Sequence, residues 1–295
     1  MNIGILASGG DGAGMNNCLY ELAKNLKGHK LTFFGYGYRG LIEGITIKLK
    51  LKDLENVKDL GGVIIKSSRC KEFLTSNGQD VAVEELKARR ISTLIILGGN
   101  GSLKGAKELI KRGINVIFIP TTIDNDIMAS DYSLGYDTAI RHATEFVMSV
   151  DISMQAFDRI CIYEVMGRHC PDLAFNVGLL SHAGYVYTAS STKEEMYNAL
   201  QEQIQSGENY NPCVILQENV TDIEDLKIYL QTKLFGRDIK TSIIGYYQRG
   251  GLTSEIDMNF STIFALKAVE CIKNNVKNVM TIFKDENIEC FSIEN

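Results

Sequence analysis

From Pro120 to Asp126 the chain reads PTTIDND, which sets two carboxylates, Asp124 and Asp126, on either side of one amide. The stretch follows the apolar run Asn115 to Ile119 (NVIFI). In open α/β sheets the loops after strand C-termini fan apart over the ligand crevice. A carboxylate placed there serves as a general base or helps to hold a divalent metal. Asp and Asn also favour turns by bonding their own backbone, so the stretch alone fits a plain turn equally well. Four arginines, Arg69, Arg159, Arg168 and Arg249, stand at or beside turns that border apolar runs. One such arginine is ordinarily a solvated surface residue. Four, together with glycine-rich turns, point to phosphate esters, because guanidinium binds phosphate bidentately and keeps its charge. Two readings follow: phosphoryl transfer, or a nucleotide-binding protein without catalysis.

The elements that position these residues follow from pattern. Asn2 to Ala7 (NIGILA) has the length of a buried strand, and the Gly-rich Ser8 to Gly14 leads from it into a helical pattern from Asn16 to Leu26. Strand, glycine turn and helix suit phosphate, since the backbone approaches closely and the helix start offers unpaired N–H groups. No Lys-Ser/Thr ends the turn, so it is not a Walker P-loop. Thr93 to Leu97, Gly98 to Ser102 and a helix from Leu103 to Lys111 repeat the arrangement. Both turns and the TIDND loop lie at strand C-termini, which share one edge of a parallel sheet. Gly35 to Gly40 matches G-x-G-x-x-G, but Leu41 to Leu51 alternates like a strand. A surface loop with an exposed Tyr38 is therefore expected in preference to a dinucleotide site.

Further strands are expected at Arg159 to Val165, Tyr185 to Thr188, Pro212 to Gln217, Thr241 to Tyr246 and Asn278 to Phe283. Helices are expected at Val81 to Arg89, Tyr136 to Phe157, Asp172 to His182, Lys193 to Gln205, Asp222 to Lys233 and from about Asn259 to Ile272. The βαβ rhythm restarts after residue 135. This predicts an α/β protein of two Rossmann-like lobes with mainly parallel sheets and an active-site cleft between them, residues 1–135 plus 250–295 forming one lobe and 136–249 the other.

With 295 residues, 45% hydrophobic and 23% charged, the chain has ample apolar surface for a core. A formal net charge of −5 argues against electrostatically driven nucleic-acid binding. Seven cysteines without C-x-x-C spacing read as free thiols of a reducing cytosol, and four histidines without H-E-x-x-H give no zinc signal. No signal peptide or membrane-spanning run is evident, so a cytoplasmic location is expected.

Seven segments together resemble the phosphofructokinase family in order and spacing: SGGDGAGMN (Ser8 to Asn16), GGVIIKSSRCKEF (Gly61 to Phe73), ILGGNGS (Ile96 to Ser102), PTTIDNDI (Pro120 to Ile127), LGYDTA (Leu134 to Ala139), RICIYEVMGRHC (Arg159 to Cys170) and IGYYQRGG (Ile244 to Gly251). The resemblance implies a nucleotide-binding lobe (1–135 plus 250–295) and a sugar-phosphate-binding lobe (136–249). It implies ATP as donor, Mg2+ as cofactor and fructose 6-phosphate as acceptor, in a homo-oligomer, dimer or tetramer, whose subunits share the active site. Asp124 matches the base for the sugar 1-hydroxyl, with Thr122 and Asp126 flanking it and Asp126 supporting the metal. Arg168 and Arg69 match arginines that neutralise the transferring phosphoryl group. Met166, Gly167 and Glu218 match sugar contacts. Arg249 and Arg159 match 6-phosphate ligands, Arg159 coming from the neighbouring subunit. Gly10, Tyr38, Arg69, Cys70, Gly99, Asn100, Gly101 and Ser102 match the nucleotide site.

Several positions depart from the family pattern. Asn100 replaces a metal-binding aspartate, which implies weaker metal binding and a lower rate. Lys240 and Tyr246 replace an arginine and a histidine at the 6-phosphate site. Gly101 is the ATP-type residue where pyrophosphate-using relatives carry aspartate, while Thr121 is neither their lysine nor the usual glycine. At the basic effector site of bacterial relatives the chain has Tyr20, Leu51, Asp151, Gly184, Gly207, Asn209 and Asn211, with only Lys24 charged as expected, so that control is expected to be absent. The family's last helical segment, which packs on the substrate lobe, is also expected to be absent. These departures keep open a second reading, a weakened or inactive paralogue that binds nucleotide or sugar phosphate as a regulatory protein.

Overall fold

The structure, a computed structural model, describes residues 1–293, which divide into two compact units, Met1–Asp137 with the segment from Arg249 onward, and Thr138–Gln248. In the first unit the elements are β1 (Asn2–Ser8), α1 (Met15–Asn25), β2 (Lys30–Phe34), α2 (Gly37–Ile42), β3 (Thr46–Ile47), α3 (Leu51–Glu55), α4 (Ser76–Ala88), β4 (Thr93–Gly98), α5 (Asn100–Lys111) and β5 (Asn115–Pro120). Helix α6 (Tyr136–Gln155) leads into the second unit, which holds β6 (Arg159–Val165), α7 (Asp172–Leu180), β7 (Tyr185–Tyr187), α8 (Lys193–Ser206), β8 (Val214–Gln217), α9 (Ile223–Lys233) and β9 (Asp238–Ile243). The chain then returns to the first unit with α10 (Glu255–Lys273), β10 (Val279–Lys284) and β11 (Asn287–Ser292).

The first unit carries a seven-stranded sheet in the order β11-β10-β5-β4-β1-β2-β3, parallel throughout except for its antiparallel edges β3 and β11. The second carries a wholly parallel sheet, β7-β8-β6-β9. The fold is thus α/β with mostly parallel sheets, as the alternating strand and helix patterns imply.

Strands buried on both faces read as continuous apolar runs, and their period of two sorts side chains between two cores. Ile3, Ile5, Ile95, Leu97, Ile117 and Ile119 face Met15, Leu19 and Leu22 of α1 and Phe264 and Ala268 of α10. Leu6, Leu94, Ile96, Val116 and Phe118 face Leu41 of α2, Leu86 of α4 and Leu109 of α5. Each large side chain so buried stabilises the unit by roughly 2 kcal/mol. In the second unit Ile160, Ile162, Val214, Leu216 and Ile239 pack on Met196, Leu200, Leu226 and Leu230 of α8 and α9. Among the described residues no helix is long and apolar enough to cross a membrane.

Several local expectations are corrected. Leu41 to Leu51 is not a strand: the glycine run opens the six-residue α2, β3 has two residues, and α3 follows. The alternation there reflects packing of Ile47 and Leu49 against the core. Helix α4 starts at Ser76 because Thr75 caps it, its side chain accepting from the Gly78 N–H. Helix α5 starts at Asn100, α10 at Glu255 after the Ser254 cap, and β9 runs from Asp238, which leaves Tyr246 in a short 3-10 turn, Gly245–Arg249. The antiparallel β11 had no counterpart in the sequence reading.

Candidate active site

The register of the larger sheet brings three loops together. Ser8 pairs with Gly98 and Gly98 with Pro120, so β1, β4 and β5 end side by side, about 4.8 Å apart. The chain leaves β1 toward β2 on one side, while β4 and β5 lie on the other. The Ser8–Gly14 and Gly98–Ser102 turns therefore straddle the topological switch point, where such sheets take their ligands. Gly10, Gly99, Asn100, Gly101, Ser102, Thr122, Asp124 and Asp126 all lie on these three loops.

Helix α5 begins there with Gly99 as N-cap, no side-chain cap and no acidic residue in its first turn, which leaves its N–H groups and dipole for an anion. Ser102 Oγ donates to the Ser8 carbonyl (2.8 Å) and ties the two turns together. A Cβ placed on Gly101 would meet nothing within 4 Å, so the space above it is open. Tyr38 is not exposed but 5% accessible; it stacks on Phe73 (4.0 Å) and its hydroxyl donates to the Ser102 carbonyl (2.7 Å). Burial pushes that hydroxyl's pKa up. Tyr38 thus supports the first turn of α5 from below. Thr121 is buried and its N–H donates to the Gly98 carbonyl (2.9 Å).

The Pro120–Asp126 loop is shaped by its own side chains. Thr122 Oγ1 accepts from the Asp124 N–H (3.2 Å), and Asp124 is 5% exposed. Asn125 takes φ 48°, and its Oδ1 accepts from Ser133 N (2.8 Å) and Ser133 Oγ (3.0 Å), while Ser133 Oγ also lies 2.7 Å from the Thr122 carbonyl. The segment after the loop is held by Asp257, fully buried near the start of α10, whose Oδ1 accepts from Tyr132 Oη (2.8 Å) and Gly135 N (2.7 Å). Burial and then the Asp257 charge push the Tyr132 hydroxyl up. Asn100 Nδ2 donates to the Asp126 carbonyl (3.0 Å), which joins the second turn to the loop.

Arg249 lies against the first turn. Its Nη1 is 3.7 Å from Asp11 Oδ1, its side chain is 13% exposed, and its buried Nε has no hydrogen-bond partner among the described residues. A Cβ on Gly10 would come within 2.6 Å of Nη1, so the guanidinium in this position packs directly on the glycine and would have to shift for a larger residue. Arg69 is exposed and Cys70 half-buried, on a segment fixed to this edge by Ser67 Oγ donating to Gly9 O (2.7 Å) and Ser68 Oγ to Tyr36 O (2.9 Å).

In the second unit the corresponding edge lies after β6. Gly167 (φ 134°) and Arg168 (φ 49°) form a tight turn whose N–H groups both donate to Glu218 Oε1, at 3.1 and 2.8 Å. The Met166 N–H donates to Gln248 Oε1 (2.9 Å), and Gln217 Nε2 donates to the Arg168 carbonyl (2.8 Å). The carboxyl of Glu164 lies above its usual range, through burial first and then the Glu218 and Asp222 charges. Tyr246 is 81% exposed.

Arg159 and Lys240 are not brought to this edge. Arg159 pairs with Asp238 and Cys161 with Lys240 at the N-terminal end of β6, about 20 Å along the strand from Met166. There Asp238 Oδ2 accepts from Arg159 Nε (2.8 Å) and meets Lys240 Nζ at 3.0 Å; these partners, Lys240 foremost, hold its carboxyl below the usual range. Among the described residues no cluster of three or more His, Cys, Asp and Glu side chains suits a metal. Asn125, Ser133, Asp257 and Gln248 were not singled out from sequence, where a buried polar residue that props a loop looks like any surface one.

Comparison with known proteins identifies the family. The phosphofructokinase family model matches residues 2–272. An ATP-dependent 6-phosphofructokinase from Clostridioides difficile is 35% identical over 274 residues, 92% of this chain and 85% of that one. A protein of the same name from Clostridium botulinum is 34% identical over 277 residues, with the same two coverages. Among solved structures, phosphofructokinase from Pichia pastoris superposes with a TM-score of 0.90 at 25% identity over 99% of this chain, which spans 37% of that one. Pyrophosphate-dependent phosphofructokinase from Marinobacter aquaeolei shares the fold, with a TM-score of 0.87 at 18% identity over the whole chain and 83% of the other. With a family model over nearly all of its length and curated relatives of matching extent, the chain belongs to the phosphofructokinase family.

Proposed function

We propose that the chain is an ATP-dependent 6-phosphofructokinase, which moves the γ-phosphoryl group of Mg·ATP to the 1-hydroxyl of fructose 6-phosphate and yields ADP, fructose 1,6-bisphosphate and a proton. The observation that carries this reading is the alignment of Ser8, Gly98 and Pro120, which sets two uncapped glycine turns beside the Asp124 loop at the sheet's switch point. In this reading Gly10, Tyr38, Arg69, Cys70, Gly99, Asn100, Gly101 and Ser102 form the nucleotide side, with Tyr38 acting as the prop of α5. Open space above Gly101 favours ATP over pyrophosphate.

Asp124 takes the hydroxyl proton as the oxygen attacks the γ-phosphorus, and Thr122 fixes the turn that aims it. Arg168 and Arg69 neutralise charge that develops on the phosphoryl group. The donors available to Mg2+ are all oxygens, the Asp126 carboxylate and the Asn100 amide, which fits a hard cation that keeps waters and phosphate ligands. When bound, it neutralises phosphate charge.

Met166, Gly167 and Glu218 contact the sugar, with Glu218 also holding the turn they share. Arg249 binds the 6-phosphate through its guanidinium. Arg159 of β6 and Lys240 of β9, both bound to Asp238 at the far ends of their strands, serve a neighbouring subunit's 6-phosphate site in a homo-oligomer, while Tyr246 donates a hydrogen bond within its own. The protein acts in the cytoplasm. The test is steady-state turnover with fructose 6-phosphate and either Mg·ATP or Mg·pyrophosphate. Turnover with ATP alone is expected, with the KM for the sugar phosphate raised at least tenfold in Arg249→Ala. Turnover with pyrophosphate only, or silence with both donors, overturns the reading.

A further inference from the structure

Two sulfurs meet at the end of the first unit. Cys271, 2% exposed near the end of α10, and Cys290, half-buried on β11, place their Sγ atoms 2.6 Å apart across 19 residues of chain. The side chains already point at each other, so the sulfurs have only to close from contact to a bond of about 2.05 Å. Lys267, one turn before Cys271 on α10, sets its positive charge beside both thiols. Cys290 is held below the usual thiol range, first by the hydrogen bond from Cys271 and then by Lys267, whereas that same hydrogen bond and burial push Cys271 up. A more accessible thiol of lowered pKa beside a buried partner is the arrangement in which the first attacks a disulfide and the second resolves it. The match to the family model ends at residue 272, so Cys290 lies in a part of the chain that model does not cover.

The two cysteines sit on the two supports of one segment. From the β10–β11 side, Phe283 O accepts from Asp131 N (2.8 Å), Phe283 N donates to Ser130 Oγ (3.0 Å), and Asp285 N donates to Asp131 Oδ2 (3.2 Å). From the α10 side, Asp257 accepts from Tyr132 Oη and Gly135 N. Residues 130–135 therefore hang between the hairpin and the helix, directly after the Pro120–Asp126 loop. We propose that Cys271 and Cys290 are a reversible thiol–disulfide modification site for small disulfides of the glutathione type, and that the bond clamps β11 to α10 and stiffens the segment behind the Asp124 loop.

The step balances with one oxidant. The Cys290 thiolate attacks a sulfur of oxidised glutathione and releases one glutathione thiolate. The Cys271 thiolate then attacks the Cys290 sulfur of the mixed disulfide and releases the second. Two protein thiols are oxidised, one glutathione disulfide is reduced to two thiols, and the two thiol protons pass to the released glutathione thiolates or to solvent.

The test incubates the full chain with oxidised glutathione or with dithiothreitol, followed by thiol titration, peptide mapping, thermal denaturation and hydrogen exchange. Oxidation is expected to remove two of the seven thiols, yield a Cys271–Cys290 cross-linked peptide and raise Tm by roughly 5 °C. It is also expected to slow exchange at 130–135, all of which dithiothreitol reverses. Cys290→Ser, on a surface strand, should show none of these changes, and Cys290→Ala serves where serine perturbs the strand. Retention of all seven thiols, or a lasting mixed disulfide at Cys290 without the cross-link, overturns the site. A cross-link that leaves exchange at 130–135 unchanged overturns the clamp.

Discussion

Replacement of Asn100 by aspartate separates the effect of the amide on the fold from its effect on the metal. In the wild type Asn100 Nδ2 donates to the Asp126 carbonyl at 3.0 Å. In Asn100→Asp a carboxylate oxygen faces that carbonyl instead, which removes a hydrogen bond worth about 1 kcal/mol and adds a negative charge beside Asp126. Without metal, Tm of the first unit should fall by roughly 2–4 °C. Mg2+ at ten times its Kd adds RT ln 11, about 1.4 kcal/mol, which offsets the loss. Differential scanning calorimetry with EDTA and with Mg2+ reads both effects: the variant should lose stability in EDTA and regain it in Mg2+, while wild type responds less to the ion. A variant as stable as wild type in EDTA, or an equal Mg2+ response in both proteins, refutes the reasoning. Turnover measured on the same samples should rise in the variant.

Asp257→Ala should cost about 3–5 kcal/mol in urea unfolding, since Tyr132 and Gly135 lose a buried, charged acceptor, while Asp257→Asn, which keeps one acceptor oxygen, should cost less. A loss under about 1 kcal/mol in the alanine variant contradicts this role. Glu164 titrates above the ordinary carboxylate value, so the folded chain binds that proton more tightly than the unfolded chain. Its contribution is full below the unfolded value and is lost as pH rises through the folded one; unfolding followed upward from about pH 4 should show a decline that Glu164→Gln lacks. ADP or phosphoenolpyruvate should leave the sugar-phosphate saturation curve unmoved, because among the positions that the family resemblance assigns to the effector site only Lys24 is a cation, and it is paired with Glu21 (3.3 Å). A shift produced through a second site refutes that expectation.

Strands buried on both faces were legible because a continuous apolar run bounded by glycines has few other readings, and β1, β4, β5 and β6 all lie where the pattern put them. The candidate loops were legible for the same reason, being the punctuation after those strands. What escaped was set by tertiary contacts. Tyr38 in a glycine run looks exposed until Phe73, far along the chain, stacks on it. Leu41 to Leu51 alternates, yet its apolar residues reach the core from helical turns and a two-residue strand. Arg159 and Arg168 look alike as basic residues at the ends of a strand, but one opens β6 and the other follows it, so they lie at opposite ends of the parallel sheet. The struts Ser133 and Asp257 act through partners distant in sequence, so no local spacing marks them.

The central claim is that Asp124 is the base on a loop that the sheet sets beside two phosphate-binding turns. Its most direct test is the turnover of wild type and Asp124→Asn with fructose 6-phosphate and Mg·ATP, alongside calorimetric titration with a non-hydrolysable ATP analogue. Wild-type turnover that falls about a hundred- to ten-thousand-fold in the variant, with nucleotide affinity retained, is the predicted result. A variant that turns over at the wild-type rate would contradict it.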